Sequence, residues 1–170
     1  MTDPAPPDDP LSALLRGEPL VDRDSGLRLD RGGQWWHRGE AVTHARLSLA
    51  LTRWLDRDAT GQWIIQPRPG IWARVEVEDA PYQAHLGAGP GGALDVVLSD
   101  GTEEPWTAAT IAVGDDDAWY VPVKDGRFEA RLSRAAQSLL AEHVHEADGC
   151  YQLRLPDGRT VAFAPRRPLT

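Results

Sequence analysis

Apolar residues recur with helical spacing in two stretches of the chain. Short strand-like runs of residues, separated by glycine turns, flank each stretch. After Thr43, a candidate N-cap, positions i, i+3, i+4, i+7 and i+8 are apolar, which predicts an amphipathic helix. Its apolar face comprises Leu47, Ala50, Leu51, Trp54 and Leu55. The same spacing follows Ser133, a second candidate N-cap, with Ala136, Leu139, Leu140, His143 and Val144. The flanking runs are typical of β-hairpins, so the pattern predicts an α+β protein.

The two predicted helices lie within stretches that repeat the same order of signals. Residues 31–77 and residues 125–163 each contain a glycine turn, a strand, a helix, a second glycine turn and a hairpin. The spacing is identical in two triplets, Gly61, Trp63 and Gly70 in the first stretch and Gly149, Tyr151 and Gly158 in the second. Two copies are too few for a solenoid. We therefore expect an internal duplication of a hairpin–helix–hairpin unit, as two small half-domains packed on each other.

These signals divide the chain into five segments. Residues 1–10 are acidic and proline-rich, which predicts a disordered arm. Residues 11–86 form the predicted first half and residues 118–164 the second. Residues 87–117 are expected to supply connecting strands and loops, and residues 165–170 a tail.

Charge and composition narrow the classes of partner. The formal net charge of -8 argues against binding to nucleic acid or to an anionic membrane, since both favour a cationic surface. It leaves room for a small basic pocket. The one cysteine excludes an intrachain disulfide. No apolar run reaches the roughly 18 residues of a membrane-spanning helix, and no signal peptide is evident, so we expect a cytoplasmic protein.

Motifs of catalysis are absent from the sequence. We find no nucleophile elbow, phosphate-binding loop or dinucleotide fingerprint, and the five histidines lack the spacing of metal ligands. The sequence therefore predicts no catalytic residue, no metal site and no cofactor. Three carboxylates, Glu76, Glu78 and Asp79, lie at the end of a predicted strand. They fit either a solvent-facing strand with charge pairs or the wall of a polar cleft that also includes Tyr82.

Aromatic and basic residues supply two further hints. Trp35 and Trp36 are adjacent on one predicted strand and must point to opposite faces. We expect Trp36 to point outward, beside His37 and Arg38, where it either seals an interface or stacks on a base while the neighbouring guanidinium holds an anion. Arg131 and Arg134 belong to the best cationic patch of the chain, which is either ordinary surface charge or one side of a pocket. The candidate ligand-binding residues are thus Trp36, His37, Arg38, Glu78, Asp79, Tyr82, Arg131 and Arg134.

Four blocks of sequence resemble an uncharacterised bacterial family, the domain of unknown function (DUF) 1285. They are DRGGQWWHRG at 30–39, VEDAPY at 77–82, YVPVKDG at 120–126 and EARLSR at 129–134. The resemblance implies a duplicated α+β fold, a second half similar to a pleckstrin-homology sheet, and a cleft between the halves for a nucleotide-like ligand, with a signalling role. No enzymatic activity is established for the family, which favours a protein that is not an enzyme. Lys124 departs from the family pattern, which has an arginine there, and a lysine cannot bind an anion bidentately.

Three hypotheses follow. The first is a non-catalytic sensory or signalling module that binds a small anionic, nucleotide-like ligand between the halves. The alternative is a protein–protein interaction module without a small ligand, favoured by sheet edges and abundant tryptophan. The third is a hydrolase or transferase that uses Glu76, Glu78 or Asp79 as a general base, although no nucleophile accompanies these carboxylates.

Overall fold

A computed structural model describes residues 9–20 and 22–167 of the chain. Most of the predicted arm, residues 1–8, and the end of the predicted tail, residues 168–170, lie outside the described residues. The described part is an α+β structure with two β-sheets and three α-helices, which confirms the α+β part of the predicted fold class. The helices are α1 (Pro10–Arg16), α2 (Ala45–Arg53) and α3 (Arg134–Ala141).

The chain divides into two compact units, of which the first ends at Asp79 and the second begins at Ala80. The first unit holds a six-stranded sheet in the order β3-β2-β1-β6-β5-β4. Its strands are β1 (Asp24–Leu29), β2 (Trp35–His37), β3 (Glu40–Ala41), β4 (Leu55–Arg57), β5 (Trp63–Arg68) and β6 (Ile71–Val77). The central pair, β1 and β6, is parallel, and every other neighbouring pair is antiparallel.

The two faces of the first sheet differ because polar and apolar residues alternate along its strands. On one face, Leu27, Leu29, Trp35 and Ile65 are buried together with Leu51 of α2. Trp35 is 1% exposed, and its indole Nε1 donates a hydrogen bond to Thr52 Oγ1 at 2.9 Å. Trp36, the next residue, is only partly buried, which agrees with the predicted opposite orientations of the two rings.

The second unit holds a nine-stranded sheet in the order β13-β14-β15-β10-β11-β12-β7-β8-β9. Its strands are β7 (Tyr82–Ala88), β8 (Leu94–Leu98), β9 (Glu103–Pro105), β10 (Thr110–Val113), β11 (Trp119–Val123), β12 (Phe128–Leu132), β13 (Val144–Ala147), β14 (Cys150–Arg154) and β15 (Thr160–Pro165). β10 is parallel to β15, and β12 is parallel to β7. Other neighbours are antiparallel.

The boundary between the units lies at a different point of the chain from the predicted division between the halves. β7 was expected within the first half, but it pairs with β12 of the second sheet, and β8, β9 and β10 also belong to that sheet. β6 ends at Val77, shortly before Pro81. Proline has no N–H to donate to a ladder, so it favours an end to pairing with the first sheet.

Both helices in the sequence repeat are shorter than their apolar spacing predicts. α2 ends at Arg53, and Leu55 opens β4; α3 ends at Ala141, and Val144 opens β13. The last apolar residues of each pattern therefore lie in the following strand. Ser133 caps α3 as predicted, since its Oγ accepts a hydrogen bond from the backbone N–H of Ala136 at 3.2 Å.

The predicted cap of α2 at Thr43 is wrong by one residue. His44 is the N-cap, and its Nδ1 accepts a hydrogen bond from the backbone N–H of Leu47 at 3.3 Å. The imidazole replaces the usual hydroxyl because it also carries an acceptor nitrogen within reach of the first turn. Among residues 9–20 and 22–167, no helix has both the length and the apolar character needed to cross a membrane.

Candidate functional site

A cavity of about 580 Å³ opens on the face of the first sheet opposite α2, and we call it the open-face cavity. It lies wholly within the first unit. Its lining residues are Asp24, Gly26, Leu27, Arg28, Trp36, Arg38, Gly39, Gln62, Arg74, Val75 and Glu76. Three arginines and two acidic residues are among them.

The strand register arranges these side chains in two rows across the sheet. Trp36 of β2 lies opposite Arg28 of β1, which in turn lies opposite Glu76 of β6. In the second row, Asp24 lies opposite Arg74. All five residues alternate with buried neighbours, so their side chains share the polar face of the sheet.

The register between β1 and β6 shifts between these rows, and a buried serine fills the irregularity. Ser25 is 0% exposed; its Oγ donates to the carbonyl of Arg74 at 2.6 Å and accepts from the backbone N–H of Leu27 at 3.1 Å. These hydrogen bonds satisfy backbone groups that have no strand partner at the register shift. The bulge thus separates the two rows and leaves Gly26 between them.

Asp30 fixes the orientation of the Trp36 ring. The indole Nε1 of Trp36 donates to Asp30 Oδ2 at 2.8 Å, while Asp30 Oδ1 accepts from the backbone N–H groups of Gly32 and Gln34, each at 2.9 Å. Partial burial opposes ionisation of this carboxyl, but these hydrogen bonds outweigh it and hold its pKa below the ordinary value. Asp30 therefore stays ionised at neutral pH and keeps the indole in place.

Arg28 is held by contacts within the first unit. Its guanidinium lies 5.4 Å from the centroid of the Trp36 ring and forms an ion pair with Glu78. Glu78 also accepts a hydrogen bond from the backbone N–H of Arg31 at 3.2 Å. Glu78 thus neutralises the charge of Arg28 at the edge of the cavity.

Arg38 differs from Arg28 in having no partner within the described residues. Its side chain crosses Gly26: a Cβ placed on Gly26 would lie 3.0 Å from Arg38 Cγ. Gly26 has φ +64°, a backbone conformation that residues other than glycine adopt only at an energetic cost. Arg38 is exposed, and within residues 9–20 and 22–167 its guanidinium makes no hydrogen bond or ion pair.

The remaining charged residues of the cavity include both positive and negative side chains. Arg74 donates from Nη2 to the carbonyl of Asp22 at 2.7 Å, and Asp24 Oδ1 accepts from the backbone N–H of Gly26 at 2.9 Å. Glu76 is exposed, and the described part of the chain offers its carboxylate no hydrogen bond or ion pair. The open-face cavity therefore presents, among the residues described, one unpartnered cation, Arg38, and one unpartnered carboxylate, Glu76.

The predicted site residues of the first unit are only partly brought together. Trp36 and Arg38 line the open-face cavity, and Glu78 reaches its edge through Arg28. His37 is not among the lining residues, and its Nε2 lies 3.3 Å from Asp9 Oδ1. Asp79 follows Glu78 after β6 has ended and does not line the cavity.

The other three predicted residues lie in the second unit. Tyr82 is 3% exposed and packs edge to face on Phe128, with ring centroids 5.7 Å apart, so it serves the core. Arg131 and Arg134 line a separate cavity of about 440 Å³. The sequence-based site between the halves stays a prediction.

Arg131 is part of a network in which its charge is paired with a carboxylate of the same unit. Its guanidinium donates to the hydroxyl of Tyr120 at 2.6 Å and to Asp116 Oδ2 at 2.7 Å. The hydrogen bond from Arg131 is the main cause that lowers the pKa of Asp116. Arg166, on the same ring, lies 3.6 Å from the Tyr120 centroid and is ion-paired with Glu129.

A second network of the same unit is more deeply buried. Lys124 Nζ donates to Asp100 Oδ2 at 2.6 Å and to Thr102 Oγ1 at 2.7 Å. Burial of Asp100, which is 3% exposed, opposes its ionisation, but the bonds from Lys124 and Thr102 outweigh burial and lower its pKa. Lys124, at the position where the family pattern has arginine, thus has a structural role.

Sequence reasoning missed Arg28, Arg74, Asp24 and Gln62 as residues of the cavity. The alternation of polar and apolar residues in 24–29 and 71–77 was the available signal, because it places the charged residues on one face. Among the described residues, no group of three or more His, Cys, Asp and Glu side chains is arranged to hold a metal ion.

Comparisons with known proteins give two structures of similar fold. A DUF1285 family protein from Silicibacter pomeroyi DSS-3 superposes with a TM-score of 0.65 and 18% identity, over 95% of this chain and 89% of the other. One from Shewanella baltica OS155 gives a TM-score of 0.55 and 23% identity, over 69% of this chain and 91% of the other. The predicted resemblance to DUF1285 is thereby confirmed for the fold. No family model and no curated protein matches the chain.

Proposed function

We propose that this protein is a non-catalytic sensory or signalling module of the cytoplasm, and that it binds a small anionic, nucleotide-like ligand in the open-face cavity. The observation that carries the proposal is the guanidinium of Arg38. It lines a concave surface beside a fixed indole and has no partner within the described residues. A volume of about 580 Å³ lies within the usual range of small-molecule sites.

The chemistry of the lining favours a planar anion. A guanidinium binds carboxylate or phosphate with two parallel hydrogen bonds, and an indole offers a flat apolar surface for a ring. Asp30 holds the Trp36 ring in one orientation through the bond to Nε1. A surface that is already ordered loses less conformational entropy when a ligand binds.

The same lining argues for binding rather than catalysis. Its residues include no serine, threonine, cysteine, lysine, histidine or tyrosine, so the nucleophiles and the acid–base groups other than Asp24 and Glu76 are missing there. The hydrolase hypothesis needs a nucleophile or an activated water beside a carboxylate. We therefore rank it below ligand binding.

We further propose that the two units descend from one duplicated unit. The first sheet has the order β3-β2-β1-β6-β5-β4, and part of the second has the order β12-β11-β10-β15-β14-β13. Each contains one parallel pair at its centre, β1 with β6 and β10 with β15. α2 lies between β3 and β4, and α3 lies between β12 and β13.

This correspondence differs by one strand from the one suggested by the glycine turns. It matches β1 with β10 and β2 with β11. Arg28 of β1 pairs with Trp36 of β2, and Ala112 of β10 pairs with Tyr120 of β11. Trp36 therefore corresponds to Tyr120. β7, β8 and β9 have no counterpart in the first sheet. The likeness of the second half to a pleckstrin-homology sheet stays a prediction.

A thermal-shift screen tests the binding proposal. Nucleotides, sugar phosphates and dicarboxylates are added to the full chain, and a ligand at about 100 times its dissociation constant should stabilise the fold by roughly 2.7 kcal/mol. We expect the Arg38→Ala variant to lose this stabilisation. Arg154→Ala removes an exposed arginine from the second unit and should retain it. Equal stabilisation of both variants would contradict the proposed site.

A protein–protein interaction module is the second candidate. Two large apolar side chains of the second unit are exposed, Tyr151 by 68% and Leu139 by 58%. Such residues are often found in interfaces. A pulldown with the Tyr151→Ser variant as control tests it, and equal recovery of partners by both proteins would argue against this role for Tyr151.

A further inference from the structure

We propose that the ligand of the open-face cavity is a zwitterion, with an anionic group bound by Arg38 and a cationic group bound by Glu76. This inference rests on the anion site proposed above at Arg38, and it narrows the ligand from any small anion to one that also carries a cationic group. It follows from which charged side chains of the cavity form a hydrogen bond or ion pair with other protein groups and which do not.

The first step concerns Arg28, the cation nearest to Glu76 across the sheet. The two residues are direct neighbours in the register of β1 and β6. Arg28 nevertheless forms its ion pair with Glu78, which is also held by the backbone N–H of Arg31. The protein thus satisfies Arg28 with another carboxylate and leaves Glu76 without a cation among the described residues.

The second step concerns the other lining charges. Arg74 is tied to the carbonyl of Asp22, and Asp24 to the backbone N–H of Gly26. Both contacts hold these side chains at the loop that precedes β1 and at its bulge. Arg38 and Glu76 remain as the two charges of opposite sign with no hydrogen bond or ion pair within residues 9–20 and 22–167.

The third step is the electrostatic consequence for ligands. An anionic group placed beside Glu76 would meet a like charge, so Arg38 favours one anionic group whereas Glu76 disfavours a second one next to it. A ligand with one anionic and one cationic group pairs each with an opposite charge, and its cation restores to Glu76 the partner that Arg28 does not supply. Compounds with a carboxylate or phosphate at one end and an ammonium or guanidinium group at the other fit this description.

Matched series of probes test the inference. The probes are ω-amino acids, dicarboxylates and diamines of equal chain lengths, and the readout is affinity from amide and indole shifts in NMR titrations of the full chain. For the best chain length we expect the amino acid to bind at least about tenfold more tightly than either symmetrical compound. Glu76→Gln should abolish this preference for the amino acid over the dicarboxylate.

Glu146→Gln is the matched control, because Glu146 is an exposed glutamate on strand β13 of the second unit. It should leave all affinities unchanged. If the dicarboxylates bind as tightly as the amino acids, and Glu76→Gln changes nothing while Arg38→Ala removes binding, the zwitterion inference is overturned and the anion site stands. If no probe and no anion of the thermal-shift screen binds, the proposed function fails as well.

Discussion

Six strands of the second sheet follow the same order as the six strands of the first, but the two units use their charged residues differently. In both, an aromatic side chain stands on the strand next to the central parallel pair, Trp36 in the first unit and Tyr120 in the second. Tyr120 is 2% exposed, and its ring is near two arginines, Arg131 and Arg166, that are each ion-paired with a carboxylate. Trp36 lines an open cavity in which Arg38 has no described partner. Arg131 and Arg166 are thus held by carboxylates, whereas Arg38 has no hydrogen bond or ion pair to its guanidinium among the described residues.

Equivalent positions of the two sheets make the contrast sharper. By the register of the strands, Arg28, Arg74 and Glu76 correspond to Ala112, Ala162 and Ala164. Alanine offers neither charge nor hydrogen bonds. The charged side chains of the open-face cavity are therefore ones that the strand order common to the two sheets does not require.

The largest expected effect separates the two adjacent tryptophans. Trp35→Ala removes a fully buried ring and its bond to Thr52, and it should lower the free energy of unfolding by about 3–5 kcal/mol. Trp36→Ala should cost less than half as much, because Trp36 is only partly buried. Urea unfolding followed by circular dichroism measures both changes. Equal losses would contradict the assignment of one ring to the core and the other to the cavity.

A smaller loss is expected when a paired carboxylate of the second unit is removed. Asp100→Ala leaves Lys124 without its acceptor in a buried setting and should cost about 1.5–3 kcal/mol. Glu76→Ala in the first unit should stay within about 0.5 kcal/mol, as expected for an exposed side chain without such a bond. The same urea measurement compares them. A costly Glu76→Ala would show that this carboxylate serves the fold.

Two glycines with similar backbone conformations give a matched pair of substitutions. Gly26 has φ +64° and contacts Arg38, whereas Gly126 has φ +75° and open space where a Cβ would stand, with no atom within 4 Å. Each change to alanine should cost about 1–2 kcal/mol from the backbone alone. Only Gly26→Ala displaces Arg38, so only it should also weaken ligand binding in the thermal-shift screen. Weakened binding in both variants would show that the loss of binding does not depend on the position of Arg38.

The smallest expected effect is on the free energy of unfolding at acidic pH. The folded-state pKa of Asp100 lies below its unfolded value of about 3.9, so its contribution to stability is complete above that pH and is lost as the pH falls through the folded pKa. Asp100→Asn should therefore flatten the dependence of unfolding free energy on pH below about 4. Parallel curves for the variant and the unchanged protein would contradict the role of this carboxylate.

The sequence predicts the local features well and the long-range ones poorly. The helical spacing locates α2 and α3, and the alternation around Trp35 and Trp36 predicts their opposite faces, because both patterns depend on neighbours along the chain. The parallel pairing of β1 with β6 joins residues far apart in sequence, and no local pattern encodes it. The pairing of Arg28 with Glu78 depends on that register, so sequence reasoning placed Glu78 in the site without its partner.

The same limit explains the predicted residues of the second unit. Arg131 belongs to a basic pattern on β12, but its partners Asp116 and Tyr120 come from the preceding hairpin. A basic patch and an ion-paired network look alike until the strands are in register. The sequence thus pointed to Arg131 as a charged residue but could not show that the fold pairs it with Asp116.

A two-dimensional ¹H–¹⁵N NMR titration tests the central claim most directly. The chain has seven tryptophans, and the Trp36 indole signal can be assigned by comparison with Trp36→Phe. On addition of an anion that stabilises the protein, we predict shifts of the Trp36 indole and of amides from 24–28, 38–39 and 74–76, and loss of these shifts in Arg38→Ala. Shifts confined to the residues around Tyr120, Arg131 and Arg134 would contradict the account, because they would place the ligand in the cavity lined by Arg131 and Arg134 rather than in the open-face cavity.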